Sequence, residues 1–355
     1  MLAPVSYNLA LTTIIRKRQL PVRGEIIARL NQRVHANSIV AEAEYSHKHH
    51  LIDVARILDI KPEKAEKKLK HIHVGQHLSA GTVVASGGGL LPQKIKVKQS
   101  GRVVAVGGGQ VLLDTSEKKL SLKAGISGEI IEIIPNRGVI IQEVGALIQG
   151  IWGNGRVNSG TLRIIAEKPN HILEASQLDI SIRGLVVLAG SCQDAEALKS
   201  AADNTVRGLI LSSLHPSLLG LAQKMPYPII VTDAIGKEAM NVAAYKILST
   251  NKERENVTVN AENYHHYKGT RPEIIIPLAH DDLPPTPREA ESFALGQNVR
   301  LRRAPHAGAT GTLIELPSTL KTLPNGLRVL AGEVKLNNGK QVTVTVPLVN
   351  LEILG

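Results

Sequence analysis

The stretch from Val206 to Asp233, VRGLILSSLHPSLLGLAQKMPYPIIVTD, alternates apolar and helix-like segments. Val206–Leu211 and Pro228–Val231 predict strands because they lack polar alternation, and Pro216–Lys224 between them predicts a helix. Flanking segments predict further strands over 178–188 and 257–260 and helices over 194–202 and 237–248. Apolar strands separated by helices favour βαβ units, so we expect a small, parallel, three-layer α/β domain over 178–276.

Small polar residues follow the strands of this predicted domain. The candidates for ligand binding are Ser191, Ser212, Ser213, Thr232 and Asp233. In open α/β sheets, ligands bind outside the carboxyl ends of the strands, where helix N-termini supply amide donors. The sequence has neither a Gly-x-Gly-x-x-Gly motif nor a P-loop here, and such residues are also common helix caps.

A β-rich region is predicted over 20–168, from short strands and glycine turns. A strand–turn–strand phrase over 24–41 returns in shortened form over 73–85, and a third instance lies over 128–148. The spacing is too irregular for a solenoid, so we interpret the phrases as quasi-repeated hairpins of one barrel. A helical insertion is expected near 49–70.

With Ser100–Val106, this pattern resembles the barrel-sandwich hybrid shared by biotinyl and lipoyl domains. A carrier of that family places a modified lysine in a tight hairpin, where this chain has Ala43–His50. Neither Met-Lys-Met nor Asp-Lys-Ala surrounds Lys48, so we expect an unmodified lysine, no cofactor and a structural or docking barrel.

The C-terminal part is predicted to follow a proline-rich linker over 277–295. Gly296–Leu316 resembles the KOW motif of SH3-like barrels in transcription-elongation and ribosomal proteins, with Ala304 in place of a usual glycine. A hairpin with a basic loop, Arg303–Gly311, is expected, and Asn337–Lys340 predicts a second hairpin turn. The overall prediction is a multidomain α/β plus all-β protein ending in an SH3-like barrel over 296–355.

The net charge of +11 is concentrated near the N-terminus. Residues 1–120 hold 19 Lys and Arg against 9 Asp and Glu, whereas 121–355 hold 23 against 22. A basic region attracts polyanions, although the mixed signs of Pro62–Lys70 also fit a solvated face. The candidate polyanion-binding residues are Arg16, Lys17 and Arg18 in an N-terminal arm (1–19), and Arg300, Arg302 and Arg303. An aromatic content of 2% argues against a base-stacking RNA reader.

The single cysteine, Cys192, excludes an internal disulfide and fits a reducing cytoplasm. Cys192 and His215 could act as a thiol nucleophile and its base. A cysteine at the start of a helix is more often a small buried hydrophobic residue, so no catalytic residue is predicted. Six histidines lie within a short stretch: His47, His49, His50, His71, His73 and His77. No carboxylate joins them in a known ligand pattern, so no metal is expected. No apolar run is long enough for a transmembrane segment, and a cytoplasmic location is predicted.

Two functions follow as hypotheses. The first is a non-catalytic, multi-module binding protein that contacts nucleic acid or a nucleoprotein machine of transcription or translation. The alternative is an accessory or scaffold protein of a metabolic enzyme system, with a small-ligand crevice in the α/β domain. An enzyme acting at the strand ends is a third, less favoured interpretation.

Overall fold

The computed structural model describes residues 2–44, 48–88, 92–115, 119–265, 270–280, 282–288, 290–337 and 342–355. It is mostly β-sheet, with 45% of residues in strands and 14% in helices, arranged in several sheets. Among the described residues, no helix is both long enough and apolar enough to cross a membrane.

The elements are numbered in chain order. Those of the N-terminal part are β1 (Leu2–Ser6), β2 (Asn8–Gln19), β3 (Glu25–Ile26), β4 (Arg33–Val34), β5 (Ile39–Glu44), β6 (His49–Asp53), α1 (Val54–Ile57), α2 (Pro62–Lys68), β7 (His77–Leu78), β8 (Val83–Ser86), β9 (Lys94–Lys96), β10 (Gly101–Gly107), β11 (Gln110–Asp114), β12 (Lys119–Lys123), β13 (Gly128–Ile134) and β14 (Gly138–Gln149). Those that follow are β15 (Trp152–Gly153), β16 (Val157–Gly160), β17 (Leu162–Ile164), β18 (Ile172–Leu173), β19 (Val186–Cys192), α3 (Ala195–Asp203), β20 (Gly208–Leu214), α4 (Leu219–Ala222), β21 (Ile229–Ile235), α5 (Val242–Thr250), β22 (Val257–Asn260), β23 (Glu273–Pro277), β24 (Ala290–Ser292), β25 (Asn298–Leu301), β26 (Thr310–Glu315), β27 (Lys321–Thr322), β28 (Arg328–Val329), β29 (Ala331–Leu336), β30 (Thr343–Pro347) and β31 (Leu351–Leu354).

The first strand belongs to the C-terminal sheet, which has the order β24-β1-β31-β25-β26-β29-β30. β1 runs parallel to β31, and its alternate residues Ala3 and Val5 are buried against Ile353. Residues 1–19 are therefore not the expected arm, because this apolar alternation buries β1 in a core. The predicted linker likewise contains an edge strand, β24. The predicted turn at Asn337–Lys340 lies largely outside the described residues, between the paired strands β29 and β30.

The long strand β14 organises the central sheet. One edge pairs with β2 over almost its full length. The other edge is shared, because β13 pairs with it from Gly138 to Gln142 and β23 pairs with it from Gly145 to Gln149. Glu143 and Val144 lie where these two partner strands diverge, and this point is called the fork below.

A parallel sheet of β17, β19, β20 and β21 corresponds to the predicted α/β region. One face packs on α3, α4 and Tyr227, and the other packs on α5 and on Val259 and Ile274 of the central sheet. The expected three-layer α/β domain is thus corrected, since an antiparallel sheet supplies part of the third layer and 257–260 belongs to that sheet. The strand predicted over 178–188 begins only at Val186, because Asp179 caps a short 3-10 helix, Ile180–Ile182.

Residues 48–115, called the insert, form a small unit of their own. It contains the sheet β6-β11-β10-β7, the hairpin β8–β9, and α1 and α2, packed around a core that includes Ile52, Leu69 and Val103. It connects β5 to β12, which pair with each other. The region predicted as one barrel with a helical insertion therefore contains separate cores, because the insert buries its own apolar residues.

The repeated phrase of the sequence is a turn closed by a glutamine side chain. The Oε1 atoms of Gln32, Gln76 and Gln297 accept from the backbone N–H of Arg29 (2.8 Å), His73 (3.1 Å) and Ala294 (2.8 Å). The residue before each glutamine has a positive φ, and the strand after the turn pairs with a strand that contains a Gly-x-aliphatic segment, starting at Gly128, Gly101 or Gly311. The third copy thus lies in the C-terminal sheet, and the phrase predicted over 128–148 supplies a partner strand instead.

Candidate functional site

The three predicted serines do meet at the carboxyl ends of the parallel strands. Ser191 Oγ lies 2.8 Å from Ser213 Oγ and accepts from Gln193 Nε2 at 2.7 Å. Ser213 Oγ accepts from the N–H of Glu238 at 3.0 Å, and Ser212 Oγ donates to the carbonyl of Glu238 at 3.0 Å. The chain that follows β21 therefore covers these hydroxyls and satisfies them.

Thr232 and Asp233 lie beside them and are also buried. Thr232 Oγ1 donates to Asp233 Oδ2 at 2.6 Å, and Arg300 Nη2 lies 3.4 Å from Asp233 Oδ1. Asp233 is 5% exposed and Arg300 is 3% exposed. Burial raises the pKa of Asp233, and the charge of Arg300 opposes that shift. Asp233, which was predicted to bind a ligand, is thus paired with Arg300, which was predicted to bind a polyanion.

Arg300 continues a buried chain of alternating charges. Its Nη1 lies 3.8 Å from Glu352 Oε2, and Glu352 also pairs with Arg271. Within the described residues, Arg300 Nε and Nη1 have no hydrogen-bond partner. The expectation that Arg300 lies on a surface available to a polyanion is corrected, because Arg300 is buried and ties the C-terminal sheet to the end of the parallel sheet.

The N-terminal basic cluster is partly used within the fold. Arg16 makes a bidentate pair with Glu273, with Nη2 2.6 Å from Oε2, and Arg18 Nη1 lies 3.0 Å from Glu262 Oε2. Lys17 is exposed. These pairs connect β2 to β23 and to the chain before it.

The loop between β25 and β26, residues 302–309, is called the KOW-type loop. Arg302 places its guanidinium 5.1 Å from the ring centroid of Tyr264, and Arg271 lies at the same distance from that ring. Arg303 is exposed. Of the three predicted arginines, Arg303 is thus the most open to solvent.

A row of exposed lysines on the insert escaped the sequence-based site prediction. Lys94 and Lys96 lie on the same side of β9, Lys98 follows the end of the strand, and Ile95 and Val97 between them are buried. The three exposed lysines are called the lysine face. The signal was visible in the sequence as Lys-x-Lys-x-Lys with aliphatic residues between.

The insert carries further exposed basic residues. The other exposed basic residues of the insert are Lys48, Arg56, Lys61, Lys64, Lys67, Lys70 and Arg102. Lys68 Nζ donates to the carbonyl of Ser86 at 2.8 Å, and Ser86 pairs with Lys94, which places the end of α2 beside β9. The insert holds 11 Lys and Arg against 5 Asp and Glu.

A groove at the fork is a second feature that no pattern in the sequence predicted. Two adjoining cavities of ≈ 330 Å³ and ≈ 220 Å³ share Arg33, Glu143 and Pro277 in their linings. Arg33 Nη2 donates to Glu143 Oε2 at 2.9 Å. Burial raises the pKa of Glu143, and the charge of Arg33 opposes that shift.

The histidine-rich stretch does not assemble a metal centre in the part of the chain that the structure describes. There, no three His, Cys, Asp or Glu side chains are grouped so that they could hold a metal ion. His71, His73 and His77 are exposed. His47 lies outside the described residues.

Cys192 is 0% exposed, and burial raises the pKa of its thiol to about 11. Because the thiolate is the reactive form, we expect iodoacetamide to label the folded protein far more slowly than the unfolded chain. Mass spectrometry with and without denaturant measures this, and the single cysteine makes the result unambiguous. Equal labelling rates in the two states would contradict the buried position.

No protein-family model matches the chain, and no curated protein matches it.

Proposed function

We propose that this chain is a non-catalytic, multi-module binding protein that contacts nucleic acid, alone or in a nucleoprotein machine, through the lysine face. In this proposal the β-rich region over 20–168 is of the barrel-sandwich-hybrid type, and 296–355 is an SH3-like barrel whose KOW-type loop adds a second contact. The proposed location is the cytoplasm.

The lysine face is the observation that carries the proposal. Lys94 and Lys96, alternate residues of β9, lie on one side of the strand about 6.5 Å apart, and the exposed Lys98 follows the end of the strand, so three positive charges on long, flexible side chains lie close together. The insert holds 6 of the surplus positive charges of the chain, as 11 basic residues against 5 acidic ones. Such a surface suits the phosphate backbone of a nucleic acid, whose neutralisation releases counterions.

The composition of the insert supports recognition that is independent of base sequence. Residues 48–115 contain no Phe, Trp or Tyr, the large aromatic side chains on which single-strand binders commonly stack bases. Recognition of the backbone alone predicts similar affinities for oligonucleotides of different sequence, with a strong dependence on salt.

The test is a triple substitution, Lys94→Ala, Lys96→Ala and Lys98→Ala. Each phosphate contact contributes about 0.7–0.9 to the slope of log K against log salt, so we expect a slope shallower by about 2–3 than in wild type. Fluorescence anisotropy with labelled single-stranded and duplex oligonucleotides over a range of salt concentrations measures the slope.

The matched control removes three exposed lysines from the α/β region, Lys224→Ala, Lys246→Ala and Lys252→Ala. Both variants lose the same net charge, but only the first should lose affinity. An Arg302→Ala, Arg303→Ala variant measures the contribution of the KOW-type loop separately. No binding by wild type at low salt, or equal losses in the two lysine variants, would refute the proposal.

The alternative, a scaffold protein with a small-ligand crevice at the strand ends, has less support. The hydroxyls predicted to line that crevice hydrogen-bond to one another and to the backbone of Glu238. Asp233 is likewise engaged by Thr232 and Arg300.

A further inference from the structure

The fork groove is open because two strands share one edge of β14. β13 pairs with β14 as far as Gln142, and β23 pairs with β14 from Gly145 onward. Among the described residues, the backbone of β14 between these points makes one bond on that edge, accepted by Val144 O from Leu278 N–H at 3.0 Å. The larger cavity lies on this gap, and its volume of ≈ 330 Å³ is at the small end of ligand-binding pockets.

The groove is lined by both positively and negatively charged side chains. The carboxylate of Glu143 is 8% exposed and accepts from Arg33, whose own side chain is 71% exposed. One of the five guanidinium N–H donors of Arg33 is thus used on Glu143, and the side chain is open to the cavity. Glu129 pairs in register with both Arg33 and Gln142 and adds a second carboxylate to the lining.

We propose that the fork groove binds a small zwitterion of the α-amino-acid class, with its carboxylate on Arg33 and its ammonium group between Glu143 and Glu129. A lone anion in this groove would face two carboxylates, and a lone cation would face the guanidinium. Only a ligand that carries both charges satisfies all three side chains, and the cavity volume limits it to a small molecule. This site lies apart from the lysine face and does not depend on nucleic-acid binding.

The raised pKa of Glu143 agrees with this assignment. Burial is its largest cause, so the carboxylate lacks the solvation that a second positive partner would replace. Its Oε1 accepts only from the N–H of Val144, at 3.1 Å, among the contacts of the described residues. A carboxylate oxygen has two lone pairs, so acceptor capacity is left for a ligand.

The test uses the full chain and an equimolar mixture of the twenty common L-amino acids at millimolar concentration. A ligand that binds only the folded state raises the unfolding temperature by mass action, so we expect a rise with this mixture in wild type. Butyrate and butylamine together carry the same charges on separate molecules and should give no rise. Calorimetry with the single amino acids then gives the dissociation constant.

Arg33→Gln should weaken binding of the amino acid so identified by at least about tenfold, because it removes a charge-assisted hydrogen bond. Glu129→Gln, at an exposed position, should weaken it as well. The matched control is Arg29→Gln, which removes a nearby exposed arginine outside the groove and should leave binding unchanged. No rise in wild type, an equal rise in Arg33→Gln, or an equal rise with butyrate and butylamine would overturn the proposal.

Discussion

Replacing Asp233 by Ala is expected to destabilise the protein by about 3–5 kcal/mol, because it leaves the buried charge of Arg300 without its nearest partner. Arg300 has Glu352 at 3.8 Å, but two of its nitrogens already lack hydrogen-bond partners within the described residues. Equilibrium unfolding in urea measures the loss. From the sequence, the position of Asp233 after a predicted strand indicates that its replacement changes ligand retention more than stability. Because Asp233 is buried beside Arg300, we expect the loss of stability to be the larger effect.

A double-mutant cycle separates the ion pair from general packing. Asp233→Ala combined with Arg300→Met should lose less stability than the sum of the two single variants, since neither charge is then left alone. The control is Glu253→Ala. Both side chains of the Arg163–Glu253 pair are exposed, so this pair should contribute about 0–1 kcal/mol to the free energy of unfolding. A loss in Asp233→Ala no larger than in this control would contradict the role of the buried pair.

Gly128→Ala is expected to destabilise the protein by about 3 kcal/mol through steric overlap. A Cβ atom at this position would collide with the carbonyl oxygen of Gln142 on the neighbouring strand, and backbone atoms there have little freedom to move. Gly101 and Gly311 occupy the same position in the other two copies of the glutamine-closed turn, against Asp114 and Lys335. Chemical denaturation of each variant measures the effect.

Gly220→Ala is the matched control for this substitution. Gly220 lies in α4, and a Cβ atom there would meet nothing within 4 Å. Alanine should therefore be neutral or stabilising by about 0.5–1 kcal/mol, because glycine loses more conformational freedom on folding. Equal stability of Gly128→Ala and Gly220→Ala would show that the close approach to Gln142 has no energetic consequence.

Elements that depend on local pattern could be predicted from the sequence. The apolar segments from Val206 onward do form adjacent parallel strands, and Gly296–Leu316 does form a hairpin with its loop near Arg303. The repeated phrase was also visible, because a glutamine three residues after the start of a turn closes it through its own side chain. The alternation Lys94-Ile95-Lys96-Val97-Lys98 could have identified the lysine face.

Assignments that depend on long-range pairing could not be made in this way. The strand β22 follows a helix, as a further strand of the parallel sheet would, yet it pairs in the central sheet beside β23. The N-terminal strand β1 finds its parallel partner at the other end of the chain, in β31. No local pattern specifies such partners, because many apolar strands offer equivalent edges.

The pattern of apolar, glycine and turn residues along the chain was sufficient for the βαβ order, the short hairpins and the basic character of residues 1–120. Only the tertiary structure decided which charges face solvent. Arg300 and Asp233 are 67 residues apart, yet both are buried together, whereas Lys94 stays exposed on a two-stranded hairpin. The physical reason is that local periodicity orients a side chain toward a face, but the packing of distant elements determines whether that face is buried and which opposite charge meets it.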